Sequence, residues 1–286
     1  DKMQYQIPLP PFFQLNQIFN CGQCFRFEPH PNATADRCIW HGVARGRYLC
    51  IEQTEDSLIF EPCSEEDFLK IWQPFFGLCD DYAAIRRSID KHFNRHPLMR
   101  RAMEHGSGIR ILRQDPHEAL ISFIISQNNN IPRIKKIIST LCADYGSPIL
   151  YKGNTFFGFP SAKALEDAGI NALYERKTGF RAKYIYDAAK KENSGDIDLH
   201  AIGSLPSDDA LCRLKTIMGV GDKVANCVLL YGLSHFDAFP IDVWIKKVIA
   251  KYFPEGLDIS SLGPWAGIAQ QYLFYFEKYI LSQNMT

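Results

Sequence analysis

The spacing of apolar residues changes near Glu65, and that change restricts the fold more than any other feature of the chain. Upstream, "QCFRFEP", "CIWHGVARGRYLCIEQ" and "DSLIFEP" are β-branched or aromatic runs broken by Gly, Asn, Pro and acidic residues, the pattern of short strands and turns. The middle run reads as a hairpin with its turn near Arg45-Gly46. Downstream, apolar residues recur at helical spacing almost to the end. "SEEDFLKIW" opens with a Ser cap and an acidic first turn, and "HEALISFIIS" follows Pro116. "IPRIKKIISTLCADYG" ends on a glycine, and "FRAKYIYDAAKKE", "IDVWIKKVIAKYF" and "PWAGIAQQYLFYFEKYIL" continue the pattern. Strands gathered ahead of helices predict an α+β protein, an antiparallel sheet followed by a mostly α-helical body. The expected division is residues 1–98 for the sheet with flanking helices and 99–286 for the helical body in two subdomains. The boundary falls around "HPLMRRAMEHGSG".

A chain of 286 residues can bury a substantial core. No apolar run approaches the roughly 18 residues of a membrane span, and "DKMQYQIPLPPFF" lacks the basic-then-apolar layout of a signal peptide. Nine cysteines, mostly in apolar surroundings, suit reduced thiols in a cytosol or nucleus. Formal net charge is zero but unevenly distributed: residues 99–191 hold 15 Lys and Arg against 8 Asp and Glu, between acidic flanks. Such a block is either a solvated helical surface or a face that contacts phosphates.

In "IMGVGDKVANCV", residues 217–228, Lys223 sits where a helix begins, although the positive end of a helix dipole disfavours a cation. Ser207 is expected to cap a helix with Asp208 and Asp209 in its first turn, running to about Met218. Gly219-Val220-Gly221 then turns the chain, and a second helix starts near Asp222. This is a helix-hairpin-helix over about residues 207–233. Its turn offers bare N–H groups at a helix N-terminus, suited to a DNA phosphate. An ordinary αα-hairpin, with glycines for close packing, has the same pattern. A Walker A loop is excluded for want of its Lys-Ser/Thr string, and a dinucleotide fingerprint fails at Val224, where a third glycine is required. Further on, "FPIDVWIKKV" puts Asp242 at the start of the next helix, as a cap, as a carboxylate facing Lys223, or as both. A neutral lysine is a nucleophile, and a nearby carboxylate can orient it and join its proton transfers. Desolvation and the dipole lower a lysine's basicity, and a close carboxylate raises it.

The hairpin, "GVGDKVANCV" and "PIDVW" together resemble the DNA glycosylase superfamily with the helix-hairpin-helix and Gly-Pro-Asp signature. Within it the chain is similar to the 8-oxoguanine DNA glycosylases. The strings that carry this likeness are "NCGQCFRF" (20–27), "GIRILRQDPHEALISFIISQNNNIPRI" (108–134), "TGFRAKY" (178–184) and "GPWAGIAQQYLF" (263–274), which span the chain. The resemblance implies a bifunctional repair enzyme that flips 8-oxoguanine from duplex DNA, excises it and nicks the abasic strand by β-elimination. It implies Lys223 as the nucleophile at the deoxyribose C1′, forming a Schiff base. Asp242 would stabilise the oxocarbenium ion and help activate the lysine.

In the same likeness Gly22 accepts the N7–H that marks the oxidised base, Cys227 and Phe274 sandwich it, and Gln270 reads its pairing edge. Asn128, Arg133 and Arg181 would meet the orphaned cytosine, and Gly219 and Gly221 a phosphate. Phe180 stands where the eukaryotic pattern has a wedging Tyr, and an apolar wedge still unstacks bases. Trp244 replaces a His used near a phosphate. The carbonyls of Lys215, Ile217 and Val220 match a cation site, and no cofactor is otherwise expected. Plainer roles are available for most of these residues. Gly22 can simply turn the chain, Cys227 and Phe274 can be core, Asn128 to Asn130 can cap a helix, and Arg133 and Arg181 can be solvated. The implied partner is duplex DNA with the lesion, without membrane attachment, and the protein is expected to be a monomer. Its place would be the cytoplasmic nucleoid of a prokaryote or the nucleus of a eukaryote.

Rival readings meet specific obstacles. An alkylbase glycosylase of the superfamily would share Asp242 but normally lack the hairpin lysine and "QNNN". An iron–sulfur glycosylase needs four cysteines after the catalytic Asp, and none follows Cys227. A non-catalytic hairpin module would bind DNA without using Lys223 or Asp242. "CGQC" lies in a strand-rich stretch without βαβ context, which argues against a redox motif.

Overall fold

The computed structural model describes residues 3–280. Five strands form one antiparallel sheet: β1 (Tyr5–Pro8), β2 (Phe27–Pro29), β3 (Cys38–Ala44), β4 (Arg47–Gln53) and β5 (Ser57–Glu61), in the order β1-β5-β4-β3-β2. β3 and β4 are the expected hairpin. Ala44 pairs with Arg47, and Arg45 and Gly46 have φ of 53° and 70°, the two left-handed residues of a twist-matched tight turn. Alternate strand residues such as Leu49, Ile51, Leu58 and Phe60 point into a core with Ile18, Phe19, Trp72 and Phe76. Strand β1 and the short helix Leu15–Asn20 were not anticipated, because neither is long enough to display a period.

Helices follow, as the sequence pattern requires. Ser64 caps the first of them, its hydroxyl accepting the Asp67 N–H at 3.0 Å. Helices Tyr82–His92 and Pro97–His105 pack into a second, larger core: Tyr82, Ile85 and Ile89 belong to it rather than to the core under the sheet. At its centre lies Pro116–Ile125, whose residues from Glu118 onward are all buried. The helical run is interrupted once, by a small hairpin of β6 (Pro148–Tyr151) and β7 (Asn154–Phe157). Its Lys152-Gly153 turn, with φ of 48° and 75°, is the same device as Arg45-Gly46. The fold is α+β, an antiparallel sheet followed by a mostly helical body. All nine cysteines are free thiols. Among the described residues no helix is long and apolar enough to cross a membrane.

Two buried polar side chains join the sheet region to the body. The Arg110 guanidinium donates to the carbonyls of Pro11 (2.8 Å), Phe12 (3.2 Å) and Gly77 (2.7 Å) and lies over the Tyr82 ring. Gln23 donates to the carbonyls of Ile18 (3.0 Å) and Arg110 (2.8 Å) and accepts the Leu112 N–H (2.8 Å). A buried polar group left unpaired costs about 1–3 kcal/mol, so these bonds fix how the loop around Gly22 meets the helices.

Candidate active site

The helix-hairpin-helix is present, with helices Ser207–Leu214 and Asp222–Tyr231. The first stops before the expected Met218, because the chain tightens into successive i→i+3 turns through Ile217. Ser207 is not its cap. Pro206 takes the capping position, and the Ser207 hydroxyl turns instead to Asp237 (2.9 Å) and His235 (2.8 Å). A tertiary network has displaced the local bond.

Gly219 has φ of 76°, and a Cβ there would lie 2.4 Å from the Tyr184 ring. Gly221 precedes the second helix in extended conformation with open space around it. Gly219→Ala should therefore cost roughly 2–4 kcal/mol, from left-handed backbone strain plus overpacking. Gly221→Ala should cost about 1 kcal/mol or less and weaken duplex binding instead. Urea unfolding and DNA titration of both variants separate the two roles; equal stabilities would refute the packing argument. In the turn, the Ile217 carbonyl already accepts the Val220 N–H at 3.1 Å, and the Lys215 ammonium pairs with Asp222 at 2.6 Å. The carbonyls of Lys215, Ile217 and Val220 suit a hard cation by type, with no carboxylate among them.

Lys223 is the second residue of its helix. Its amine donates to Ser126 Oγ at 3.3 Å and lies 5.6 Å from the centre of the Phe123 ring. Asp242 caps Val243–Tyr252, one carboxylate oxygen accepting the N–H groups of Trp244 (3.0 Å) and Ile245 (2.8 Å). Cap and site are the same residue: Asp242 and Lys223 both line a cavity of ≈ 60 Å³. The same cavity is walled by Gly22, Cys227, Gln270 and Phe274, together with Phe123, Tyr231 and Pro240. It adjoins a cleft of ≈ 870 Å³ that reaches Asn128, Asn129, Trp244 and Lys278. Residues from four distant parts of the chain thus converge on one small space.

Each wall has a definable character. Burial pushes the Cys227 thiol up to about 11, so it is a neutral, apolar surface at physiological pH. Gln270 is buried and donates to the Pro240 carbonyl at 2.9 Å, while its Oε1 has no partner among the described residues. That unmatched acceptor awaits a donor. Gly22, with φ of 80°, both turns the chain and approaches the Phe274 ring, where a Cβ would lie 3.4 Å from Cε1. Ser126, Phe123, Tyr231 and Lys278 were not singled out from sequence. Lys278 had a signal, since it lies one helical turn beyond Phe274, and its ammonium sits 5.2 Å from that ring. Burial lowers its basicity, Asp242 opposes that and Lys223 adds to it.

The outer residues divide. Asn130 is the cap of Ile131–Tyr145, accepting the Arg133 N–H at 3.0 Å, which leaves Asn128, at φ of 46°, to line the cleft. Arg133 is exposed, beside the Lys177 carbonyl. Phe180 is 47% exposed, a bare ring at the surface. Arg181 is neither solvated nor extended into the cleft. It is only 2% exposed and donates to the carbonyls of Gln127 (2.9 Å), Asn128 (3.0 Å) and Thr178 (3.2 Å). Irregular "QNNN" backbone has carbonyls to satisfy, and Arg181 supplies the donors.

Comparison with known proteins bears on the chain as a whole. Residues 6–120 match the family described as 8-oxoguanine DNA glycosylase, N-terminal domain. An N-glycosylase/DNA lyase of Saccharomyces cerevisiae is 36% identical over 153 residues, covering 49% of this chain and 41% of the yeast protein. The chain thus spans about half the length of the curated relatives it matches. Among solved structures, MBOgg1 in complex with a low-affinity DNA ligand superposes with a TM-score of 0.90 and 37% identity, over 98% of this chain and 97% of that one. The 8-oxoguanine glycosylase/lyase of Clostridium acetobutylicum, in complex with duplex DNA containing cytosine opposite 8-oxoguanine, gives 0.86 and 35%, over 96% and 93%. On this end-to-end likeness, the chain belongs to the 8-oxoguanine DNA glycosylase family.

Proposed function

We propose that this protein excises 8-oxoguanine from duplex DNA and then cleaves the abasic strand. The observation that carries this reading is the cavity in which an amine, a carboxylate, a neutral thiol, an aromatic face and an unmatched amide oxygen meet. A flipped purine offers one complement to each: a sugar carbon, a developing positive charge, two ring faces and an edge donor.

The chemistry follows from the placement. With the base between Cys227 and Phe274, Lys223 Nζ attacks C1′ and the bond to the base N9 breaks, its electrons leaving with the base. Positive charge grows on the sugar as that bond stretches, and Asp242, held by two helix N–H groups, supplies a fixed counter-charge. One lysine proton passes to the departing base; the nitrogen lone pair then opens C1′–O4′, O4′ takes a proton from water, and a protonated Schiff base forms. Water accepts the C2′ proton, the C–H electrons form C2′=C3′, and the 3′ C–O bond breaks to release the phosphate. Ser126 Oγ holds the amine at the cavity wall until substrate arrives.

On the opposite strand, Phe180 fills the gap in the stack, and Asn128 and Arg133 are assigned to the orphaned base. Cytosine is the expected partner, as in the Clostridium complex. Arg181 acts there through the Asn128 backbone that it props. A cation at the hairpin carbonyls would stiffen the turn, and no step passes through it. An alkylbase glycosylase gives the hairpin lysine no task, and a non-catalytic module gives the cavity none. The protein works wherever duplex DNA is kept, the nucleoid or the nucleus. Borohydride reduction with lesion duplex is the test. A covalent protein–DNA adduct is expected with 8-oxoguanine and not with undamaged DNA, and no adduct would overturn the reading.

A further inference from the structure

Gln271 is fully buried in the last described α-helix, Ala266–Tyr275, directly after the cavity residue Gln270. Neighbours in a helix point about 100° apart. Gln270 faces the cavity, whereas Gln271 reaches the loop beside it and donates from Nε2 to the Cys21 carbonyl at 2.7 Å. Its Oε1 accepts the hydroxyl of Tyr231, a buried residue that lines the cavity and stacks on Phe123. On the other side of Gly22, the Gln23 carbonyl accepts Gln114 Nε2 at 2.6 Å. The peptide planes before and after the Gly22 carbonyl are therefore each held by a buried amide.

We infer that the Tyr231–Gln271 pair is a specificity device, in which Gln271 is a positioning residue that aims the Gly22 carbonyl at the flipped base. The inference rests on the role given to Gly22 above. A two-bond donor–acceptor chain into one carbonyl fixes that peptide plane more tightly than packing alone. At φ of 80° the glycine has no side chain to restrain it otherwise. The Cys21 carbonyl can only accept and so takes Nε2, and the Tyr231 hydroxyl, as donor, pins the Oε1 left over. Without the pair, the carbonyl that reads N7–H can rotate away. The lesion then loses its distinguishing bond while the amine and carboxylate stay in place.

The test compares two reactions in one preparation: single-turnover excision of 8-oxoguanine, and β-elimination at a preformed abasic site, which has no base to recognise. Gln271→Leu should slow excision about 10- to 100-fold, the scale of a misplacement near 1 Å, and leave abasic cleavage within about twofold. Tyr231→Phe removes only the hydroxyl and should shift the same ratio in the same direction by a smaller factor. The double variant should be no worse than Gln271→Leu, because the hydroxyl acts only through the amide. Unchanged excision in Gln271→Leu, or a parallel fall of both reactions, overturns the proposal. Should Gln271→Leu fail to fold, the ratio in Tyr231→Phe decides alone. If the unaltered protein cleaves abasic DNA but leaves 8-oxoguanine in place, the parent reading of the substrate fails instead, and this device fails with it.

Discussion

Lys223→Gln should abolish excision and borohydride trapping together while lesion DNA still binds. A glutamine keeps a donor for Ser126 Oγ and much of the contact with Phe123, but its amide nitrogen is not a nucleophile. Removing the nucleophile of a covalent mechanism costs on the order of 10⁴-fold or more. Binding survives because Gly22, Gln270 and Phe274 are untouched and phosphate contacts lie elsewhere. Single-turnover excision and a mobility-shift titration read the two properties separately. Full strand cleavage by the variant would make Lys223 a surface residue that happens to border a cavity. Loss of binding with residual cleavage would make it a phosphate contact.

Why that lysine was visible in sequence, and others were not, is a matter of range. Gly219, Gly221 and Lys223 lie within five residues, so turn geometry and helix start are local and legible. Asp242 was legible as a cap for the same reason, and the cap is present. Its meeting with Lys223 is one of the readings the residues leave open and the one the resemblance implies, and only the tertiary fold brings Gly22 and Gln270 to the same wall. The change of period near Glu65 gave the α+β division, while β6–β7 escaped because four-residue strands cannot outweigh a helical background. Arg181 is not the solvated residue that a basic block suggests, being buried against loop carbonyls. A basic block says how much charge is present, and nothing in it shows which guanidinium will turn inward to meet loop carbonyls. Ser207 shows the same limit from the other side, where a good local cap was outbid by His235 and Asp237. Gln271 and Tyr231 carried no signal at all, since one amide and one phenol in apolar helices look like ordinary core.

Asp242→Asn should separate the helix cap that Asp242 makes from the counter-charge proposed for it. Asparagine caps a helix about as well as aspartate, so the bonds to Trp244 and Ile245 persist and thermal stability should stay nearly unchanged. The counter-charge is lost, and excision should slow roughly 10²- to 10³-fold, the effect of one preorganised group. Asp242→Ala removes both and should add about 1 kcal/mol of destabilisation to the same kinetic loss. Rates from single-turnover excision, set beside melting curves, place each variant in one of two classes. If the Asn variant keeps its rate and the Ala variant loses only stability, Asp242 is a cap and the oxocarbenium charge must be met elsewhere. Lys278, which shares the cleft, cannot meet it, because an ammonium repels the charge that Asp242 attracts. A rate loss in the Asn variant at unchanged stability therefore leaves the carboxylate's charge, and not the helix it starts, as the quantity that drives the sugar through its transition state.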